Sequence, residues 1–486
     1  MRTSGQSTAP AAARSERAAG PALPAWLRVL DALTIVFLCA SAWVALTGGL
    51  RTSIAGVRLS VTSAPRLALL ALAIVAVRHA VRRQPSLLAR LGRTRPRRPP
   101  PEWSATAGTW AFSRASVLLA GYLATLTFGF PETPPFRFFE NAFANLPARW
   151  DAGWYVDIAL NGYSWRDVPG RQQNVAFFPA FPLAMGTGGA LLGAYSPRIA
   201  PLVAQQRLVI AGWIVALVAF WYALVYVYRW AETRAGPAVA RATVTLLAAY
   251  PFAVFFSAPY TEPLFLLGTA AAFVHFERNE WIRSAGWGFL IGLLRPNGVL
   301  LAIPLAVMAA QRRGSGARLA VAEPRAWLAV AAPAAALVLH TIYLQQITGR
   351  WLVWTDAQAA WGRTYEVTSW LSVALGEISD RGVVRYVEAA PVTVLNGLAA
   401  ALALVLLWPV GRVAGLAYAL FVLATLAPAI ASGGLMSVGR FTSTLFPLFL
   451  ALAAWIGERH LSAWVLGFGV VQGLLAALFF TWRPLF

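Results

Sequence analysis

Long apolar stretches separated by shorter polar segments make up most of this chain. The first three run over residues 26–50, 65–79 and 110–130. The others run over residues 176–194, 208–228, 242–258, 262–276, 284–310, 326–347, 390–408, 413–431, 441–456 and 461–481. A helix of about 20 apolar residues crosses a bilayer, so the pattern predicts an all-α polytopic membrane protein with roughly 11–13 transmembrane helices.

Two of these stretches depart from the pattern of a simple span. Residues 176–194 open with FFPAFP, and the two prolines suit an in-plane or re-entrant helix better than a full crossing. Residues 284–310 are interrupted by RPNG at 295–298. Helices broken at membrane depth are tolerated only where they line a cavity or pack inside protein. The interruption therefore indicates a helix that borders a cavity or the protein interior.

Composition supports the membrane interpretation and excludes several other classes. Hydrophobic residues make up 58% of the chain and charged residues 12%, whereas a soluble globular chain carries about 25% charged residues. A cytosolic enzyme and a disordered protein are therefore excluded. The single cysteine, Cys39, excludes a disulfide framework, and the four scattered histidines argue against a metal site, so we predict no metal.

The net charge of +21 reflects membrane topology rather than nucleic-acid binding. All 40 basic residues are Arg, and many of them cluster in residues 78–98 and 312–325. Short Arg-rich loops stay on the cytoplasmic side of a membrane, where they also meet anionic lipid headgroups. We therefore predict membrane lipids as partners and no nucleic-acid partner, because no basic motif is interleaved with aromatic residues.

The rule that Arg-rich loops stay in the cytoplasm also predicts a domain organisation. Residues 1–24 are predicted to be a disordered cytoplasmic tail, and residues 25–108 to be two transmembrane helices with an Arg-rich cytoplasmic loop. Residues 109–486 form the main predicted membrane domain, with external loops at 131–175 and 348–388. The third span delivers the chain to the outside, so we expect in-plane helices in the first external loop of a multi-pass protein of the cell membrane.

The first external loop carries the densest candidate chemistry, in RWDAGWYVDIALNGY at 149–163. If this segment is helical, Asp151 and Tyr155 share a face, and Trp150 and Trp154 share a neighbouring one. A carboxylate held beside aromatic rings at the membrane surface suits a general base. Composition alone favours the alternative, an ordinary interfacial belt of aromatic residues with solvated acids.

Three later motifs add charged or polar groups. Glu262 is a lone carboxylate in SAPYTEP, and Arg295 with Asn297 forms the strongly polar pair in 284–310. Arg295 either binds an anionic ligand or forms a plain ion pair with Glu262. Arg440 lies on the predicted outside, against the charge rule, which indicates an anionic ligand such as a phosphate. Asn174, before FFPAFP, also suits a simple helix entry.

These motifs together resemble one family, the PIG-V type of mannosyltransferase and its bacterial relatives. The resemblance lies in RWDAGWYVDIALNGY, NVAFFPAFPL, SAPYTEPLF and GLLRPNG, and continues in TGRWLVWTDAQAAWGR and SVGRFTSTLFPLFLALA. It runs in order from about residue 149 to 456, roughly two-thirds of the chain. Pro263 after Glu262 is a departure, because relatives often have Ser-Glu-Ser there, and it affects the expected local helix geometry.

The resemblance implies a GT-C fold, an all-helical membrane glycosyltransferase. Such enzymes transfer a sugar, usually mannose, from a polyprenyl phosphate to an acceptor hydroxyl on the extracytoplasmic face, and we expect inversion at the sugar. Asp151 maps to the expected catalytic position. The expected substrate-binding residues are Arg149, Trp150, Tyr155, Asn174, Tyr260, Glu262, Arg295, Asn297 and Arg440. Polyprenyl-phosphate mannose is the expected lipid-linked donor, with a lipid or glycan acceptor and no cofactor.

Two alternatives remain open at this point. A protein O-mannosyltransferase shares the fold and the donor and differs in its acceptor. A non-catalytic lipid or glycan transporter would carry its acids near the bilayer midplane, whereas here five of the 19 acidic residues lie in 131–175. The Ala-rich, Lys-free composition resembles that of a high-GC bacterium, which favours an envelope glycan, glycolipid or secreted protein as acceptor.

Overall fold

The computed structural model describes residues 24–54, 57–81, 100–168, 170–311, 324–363, 369–433 and 435–485. The predicted tail at 1–24, apart from its last residue, lies outside the described residues. So does most of the predicted Arg-rich cytoplasmic loop, between residues 81 and 100. The described residues divide into two compact units, those between 24 and 81 together with 195–198, and those from 100 to 194 together with those from 199 to 485.

The first unit contains two helices joined by a hairpin. Helix α1 (Ala25–Thr47) leads into strands β1 (Leu50–Ile54) and β2 (Val57–Val61), which pair antiparallel, and helix α2 (Ala64–Val81) follows. This hairpin is a departure from the all-helical prediction, because LRTSI and VRLSV are too short and too polar to register as apolar stretches. Inside the helix pair, Asp31 and Arg78 form a buried ion pair at 2.8 Å.

All of the described secondary structure in the second unit is helical. Its α-helices are α3 (Pro101–Thr127), α4 (Ala152–Asn161), α5 (Ala180–Leu191), α6 (Pro201–Ala249), α7 (Glu262–Glu277), α8 (Trp281–Gly292), α9 (Ala302–Gln311), α10 (Pro324–Thr348), α11 (Val353–Gln358), α12 (Ser369–Arg381), α13 (Val383–Ala389), α14 (Pro391–Val413), α15 (Leu416–Gly433), α16 (Val438–Ser443) and α17 (Phe446–Phe480). Short 3₁₀ helices occupy Asn174–Ala176, Pro251–Ser257, Pro296–Leu301 and Ala359–Trp361.

Six of the described helices are long and apolar enough to cross a membrane: α1, α2, α6, α10, α14 and α17. The predicted polytopic helical class is therefore confirmed, while the span count of 11–13 stays a prediction. The predicted third span is α3, which starts at Pro101, earlier than expected, and is not among the six. Helix α5 has only 12 residues, which agrees with the prediction that 176–194 is not a full span.

Two pairs of predicted stretches are each joined into one kinked helix. Helix α6 runs through both 208–228 and the start of 242–258, with a kink at Gly236, where φ is 80°. Helix α17 joins 441–456 and 461–481 across Gly457 in the same way. The two apolar stretches are therefore separated by a sharp turn at Gly236. Glycine at positive φ lets the chain change direction, and Pro237 lacks the N–H that would continue the helix ladder.

Helix α7 lies in the interior of the second unit and carries Glu262 at its start. It packs against α6 on one side and α8 on another, and nearly all of its residues are buried. Pro263 falls in its first turn, where proline's fixed φ and missing N–H are tolerated. The departure from the family pattern therefore leaves the start of this helix intact.

Candidate active site

Asp151 stands at the entrance of helix α4, as the helical interpretation of its motif predicts. Its backbone carbonyl accepts a hydrogen bond from the N–H of Tyr155 at 3.3 Å, and Asp151 is the N-cap residue of α4. Trp150, just before it, has φ of 50°, in the left-handed region. This unusual conformation turns the chain sharply before the helix, and strained backbone of this kind is concentrated at functional sites.

A row of alternating charges runs from Asp151 into the protein interior. Arg440 Nη2 lies 3.0 Å from Asp151 Oδ2, and its Nε also pairs with Glu262 Oε1. Arg295 pairs with the same Glu262 oxygen through Nη2. Glu262 is completely buried. A charged side chain that is removed from water is stable only beside close countercharges and hydrogen-bond donors. Two carboxylates and two guanidiniums thus form one balanced network.

Tyr260 and Thr261 connect this network to the turn before α7. Tyr260 Oη accepts a hydrogen bond from the backbone N–H of Asp151 at 3.2 Å, and its ring lies 4.6 Å from the Arg440 guanidinium carbon. Arg295 Nε donates to Thr261 Oγ1 at 2.6 Å. Stacking of a guanidinium on an aromatic face fixes its orientation. The YTE segment therefore positions both arginines at once.

Tyr155 is a buried neutral group beside the network. Its ring packs on Phe177 and Phe181, with centroid distances of 5.4 and 4.9 Å. Burial raises the pKa of the Tyr155 phenol above its usual range, and the nearby Asp151 charge raises it further. The phenol therefore stays protonated at neutral pH, so it can orient a substrate and does not act as a base.

Two predicted site residues, Arg149 and Trp150, have mainly structural contacts. Arg149 is buried and donates to the carbonyls of Phe480 and Asn145 at 2.7 and 2.6 Å, and Trp150 Nε1 donates to the Phe479 carbonyl at 3.2 Å. These bonds attach the motif to the end of α17.

Asn174 braces the loop that follows α4. Its Nδ2 donates to Asp157 Oδ2 at 2.8 Å, and its Oδ1 accepts from the Ser164 N–H at 3.0 Å. Substrate binding by Asn174, Arg149 and Trp150 stays a prediction.

Two buried polar atoms near the network have no hydrogen-bond partner among the described residues. They are Glu262 Oε2 and Asn297 Nδ2. A buried polar group left unpaired costs about 1–3 kcal/mol, so such atoms are usually satisfied by water or ligand. One is an acceptor and the other a donor, so each can form a hydrogen bond with a water molecule or a hydroxyl group.

Arg363 is a neighbour of the site to which the sequence assigned no role. Its guanidinium carbon lies 5.6 Å from the ring centroid of Phe441, and that of Arg295 lies 5.7 Å from the same ring. Arg363 belongs to the segment TGRWLVWTDAQAAWGR, which is part of the family resemblance, and this was the one indication that it lies near the site. Nothing in the spacing of that segment indicated which of its residues approaches Phe441.

Arg440 is held in place by a tightly packed glycine. A Cβ added at Gly439 would lie 2.2 Å from Cζ of Phe252, and the Gly439 N–H donates to Asn396 Oδ1 at 2.7 Å. We expect Gly439→Ala to lower the free energy of unfolding by about 1–3 kcal/mol through overpacking and to lower turnover by displacing Arg440. Gly473→Ala is the matched control, because an added Cβ there meets nothing within 4 Å. Thermal unfolding of both variants in detergent measures the effect, and equal melting temperatures would contradict it.

Comparison with known proteins shows that part of this chain is similar to one protein family. Residues 134–317 match a family described as Mannosyltransferase (PIG-V). GPI mannosyltransferase 2 of Cryptococcus neoformans is 32% identical over 158 residues, covering 32% of this chain and 35% of that protein. GPI alpha-1,6-mannosyltransferase 2 of Mus musculus is 33% identical over 186 residues, covering 36% of this chain and 34% of that protein. The match thus spans about a third of the length of these relatives.

A solved structure, the Archaeoglobus fulgidus oligosaccharyltransferase, is also similar over 75% of this chain and 53% of that chain, at a TM-score of 0.34 and 12% identity. A likeness of that size supports no conclusion about fold or function, so the GT-C fold rests on the family resemblance. Asp151, Glu262 and Arg295 all lie within the matched segment, whereas Arg440 lies beyond it. The predicted resemblance to the PIG-V mannosyltransferase family is therefore confirmed, and residues 134–317 are the part of the chain that carries it.

Proposed function

We propose that this protein is a membrane mannosyltransferase that moves mannose from a polyprenyl-phosphate donor to an acceptor hydroxyl on the extracytoplasmic face, with inversion. The observation that carries the proposal is the single network that joins Asp151 to Glu262 through Arg440. Both carboxylates come from the segment that matches the PIG-V family.

Asp151 is the proposed general base. Arg440 holds its Oδ2, and among the described residues nothing bonds Oδ1, on a side chain that is 20% exposed. Oδ1 takes the proton of the acceptor hydroxyl, whose oxygen attacks the anomeric carbon of mannose. The bond from that carbon to the phosphate oxygen breaks, and polyprenyl phosphate leaves from the opposite side with the electron pair, so the configuration inverts.

The leaving group is an anion and needs cationic support as its charge develops. Pre-oriented donors are worth most when they point at the atom that gains charge. Arg440 and Arg295 are the proposed donors, since each is already oriented by Glu262 and by an aromatic face. Arg295 also forms the predicted ion pair with Glu262. It can therefore serve both as the countercharge of Glu262 and as a donor to the phosphate, and mutation is needed to separate these two roles.

Transfer of labelled mannose tests the proposed function. Membranes containing the protein are incubated with polyprenyl-phosphate [³H]mannose, and the products are separated by organic extraction. Label in the extracted glycolipid or in released glycan supports the proposal, and label on protein indicates the protein O-mannosyltransferase alternative. A donor that crosses the membrane with its mannose still attached would establish a transporter and overturn the proposal. Loss of label transfer in Asp151→Asn membranes links the reaction to this site.

The proposed extracytoplasmic face predicts the reactivity of two introduced cysteines. In a Cys39→Ala background, Ser164→Cys should react with an impermeant thiol reagent in intact cells, because Ser164 is exposed in the first predicted external loop. Arg95→Cys, in the predicted cytoplasmic loop, should react only after permeabilisation. Reaction of both cysteines from the same side would contradict the proposed face of the active site.

A further inference from the structure

Arg114, in helix α3, is a buried cation that the charged network around Asp151 does not include. It is 2% exposed, and no described carboxylate forms an ion pair with it. Its Nη1 donates to the Ala253 carbonyl at 2.6 Å and to Ser257 Oγ at 2.8 Å, and its Nη2 donates to the Ala248 carbonyl at 2.9 Å. A buried charge is stable only where hydrogen bonds replace its water, and these three acceptors all lie in residues 248–257.

The Ala248 carbonyl belongs to the last turn of α6, which explains why a guanidinium suits this place. The last four carbonyls of a helix have no partner within the helix, and the C-terminal end of a helix carries partial negative charge. Gln472 Nε2, from α17, donates to the same Ala248 carbonyl at 3.0 Å and to the Tyr250 carbonyl at 2.7 Å. Buried side chains from α3 and α17 therefore fix the backbone where α6 ends.

Residues 248–257 also contact helix α16, which carries Arg440. The hydroxyl groups of Tyr250 and Thr442 are 2.8 Å apart and share a hydrogen bond. The guanidinium carbon of Arg440 lies 5.2 Å from the ring centroid of Phe255, and a cation over an aromatic face is held in orientation. The segment that Arg114 fixes thus forms one wall around Arg440.

We propose that Arg114 is a positioning residue for the transfer reaction, because it fixes residues 248–257 and through them the place of Arg440 beside Asp151. The same segment continues into Tyr260, whose hydroxyl accepts a hydrogen bond from the Asp151 N–H at 3.2 Å. Arg114 acts through Arg440 and needs no contact with substrate. The catalytic consequence rests on the proposed function, whereas the coupling of Arg114 to Arg440 rests on these contacts alone.

Three variants of the full-length protein in nanodiscs test this role. Arg114→Gln removes the charge, Arg114→Lys keeps the charge without the planar fork, and Ser257→Ala removes one acceptor and leaves Arg114 in place. A displacement of about 1 Å in an active site can lower the rate by about 100-fold, so we expect a loss of that order in Arg114→Gln. The losses in Arg114→Lys and Ser257→Ala should be smaller.

Arg207→Gln is the matched control. The Arg207 side chain, in α6, also donates to a backbone carbonyl, that of Gly193 at 2.8 Å. That carbonyl lies outside residues 248–257, so the variant should keep wild-type turnover. A loss in Arg207→Gln equal to that in Arg114→Gln would overturn the proposal, as would turnover in folded Arg114→Gln within a factor of two of wild type. If Arg114→Gln does not fold, Arg114→Lys and Ser257→Ala carry the same comparison.

A double-mutant cycle separates positioning of Arg440 from general stabilisation of the fold. Turnover and thermal unfolding are measured for each Arg114 variant alone and combined with Arg440→Gln. Residues that share a partner are coupled, whereas distant and independent residues have additive effects. We therefore expect Arg114→Gln to cost less turnover, and a smaller drop in melting temperature, in the Arg440→Gln background than in the wild type.

Additive losses of turnover, or of melting temperature where the wild type is inactive, would overturn the positioning role. They would leave Arg114 as a residue that only stabilises the end of α6. If the wild type transfers no mannose while the melting temperatures are coupled, the proposed function fails and the positioning of Arg440 by Arg114 stands.

Discussion

Replacement of Asp151 by Asn should lower turnover by about 10²–10⁴-fold, the usual contribution of a general base. Asn keeps the size of the side chain and can still accept a hydrogen bond from Arg440, so the helix α4 entrance should form normally. The amide lacks the basic carboxylate that takes the acceptor proton. Turnover is measured with labelled donor under saturating conditions, and donor binding is measured separately, where we expect a change of less than about threefold.

Asp167→Asn is the matched control for this experiment. Asp167 belongs to the same predicted external loop, and its exposed carboxylate pairs with Arg350 at 2.8 Å. Exposed ion pairs contribute little to stability, so this variant should keep wild-type turnover. If Asp151→Asn retains turnover within a factor of two of wild type, Asp151 is not the base.

Glu262→Gln should be the most destabilising single change in the site. The completely buried carboxylate is shared by Arg295 and Arg440, and breaking a buried pair typically costs about 3–5 kcal/mol. The double variant Arg295→Met with Glu262→Gln removes one guanidinium together with the carboxylate. Arg440 then keeps Asp151 as its partner, so we expect the double variant to recover most of the lost stability.

Activity in the double variant separates the two roles of Arg295. If Arg295 binds the donor phosphate, the double variant folds but remains inactive, and donor affinity falls by roughly 10- to 150-fold. Thermal unfolding, donor binding and turnover should be measured on both single variants and the double. Recovery of turnover along with stability would show that Arg295 serves only as the countercharge of Glu262.

The positions of most helices follow from apolar run length, because burial in a bilayer requires long apolar segments. The form of the junctions does not follow, since a sharp turn at a single glycine, Gly236 or Gly457, separates helices where the hydropathy pattern shows only a polar interruption. The hairpin in the first unit was also missed, because two five-residue strands contribute little to a hydropathy pattern. Single glycine residues and short polar strands determine these junctions, and a hydropathy average over many residues does not detect them.

In the candidate site, the residues were easier to predict from the sequence than the contacts between them. The ionisable residues Asp151, Glu262, Arg295 and Arg440 were all identifiable, because charge in an apolar context is costly and marks function. Their pairing was only partly predictable, since sequence order does not show that Arg440 joins both carboxylates. Arg363 was missed because the resemblance of its segment to the family does not show which residue of the segment approaches Phe441.

The network also has an order of assembly set by protein synthesis. Glu262 and Arg295 are separated by 33 residues, whereas Glu262 and Arg440 are separated by 178. At a synthesis rate of about 5–20 residues per second, Asp151 leaves the ribosome on the order of ten seconds to a minute before Arg440 does. Once Arg295 has been synthesised, Glu262 has a countercharge, while Asp151 still lacks Arg440. A truncated chain that stops between residue 317 and Arg440 therefore contains all of residues 134–317 and still lacks a finished site.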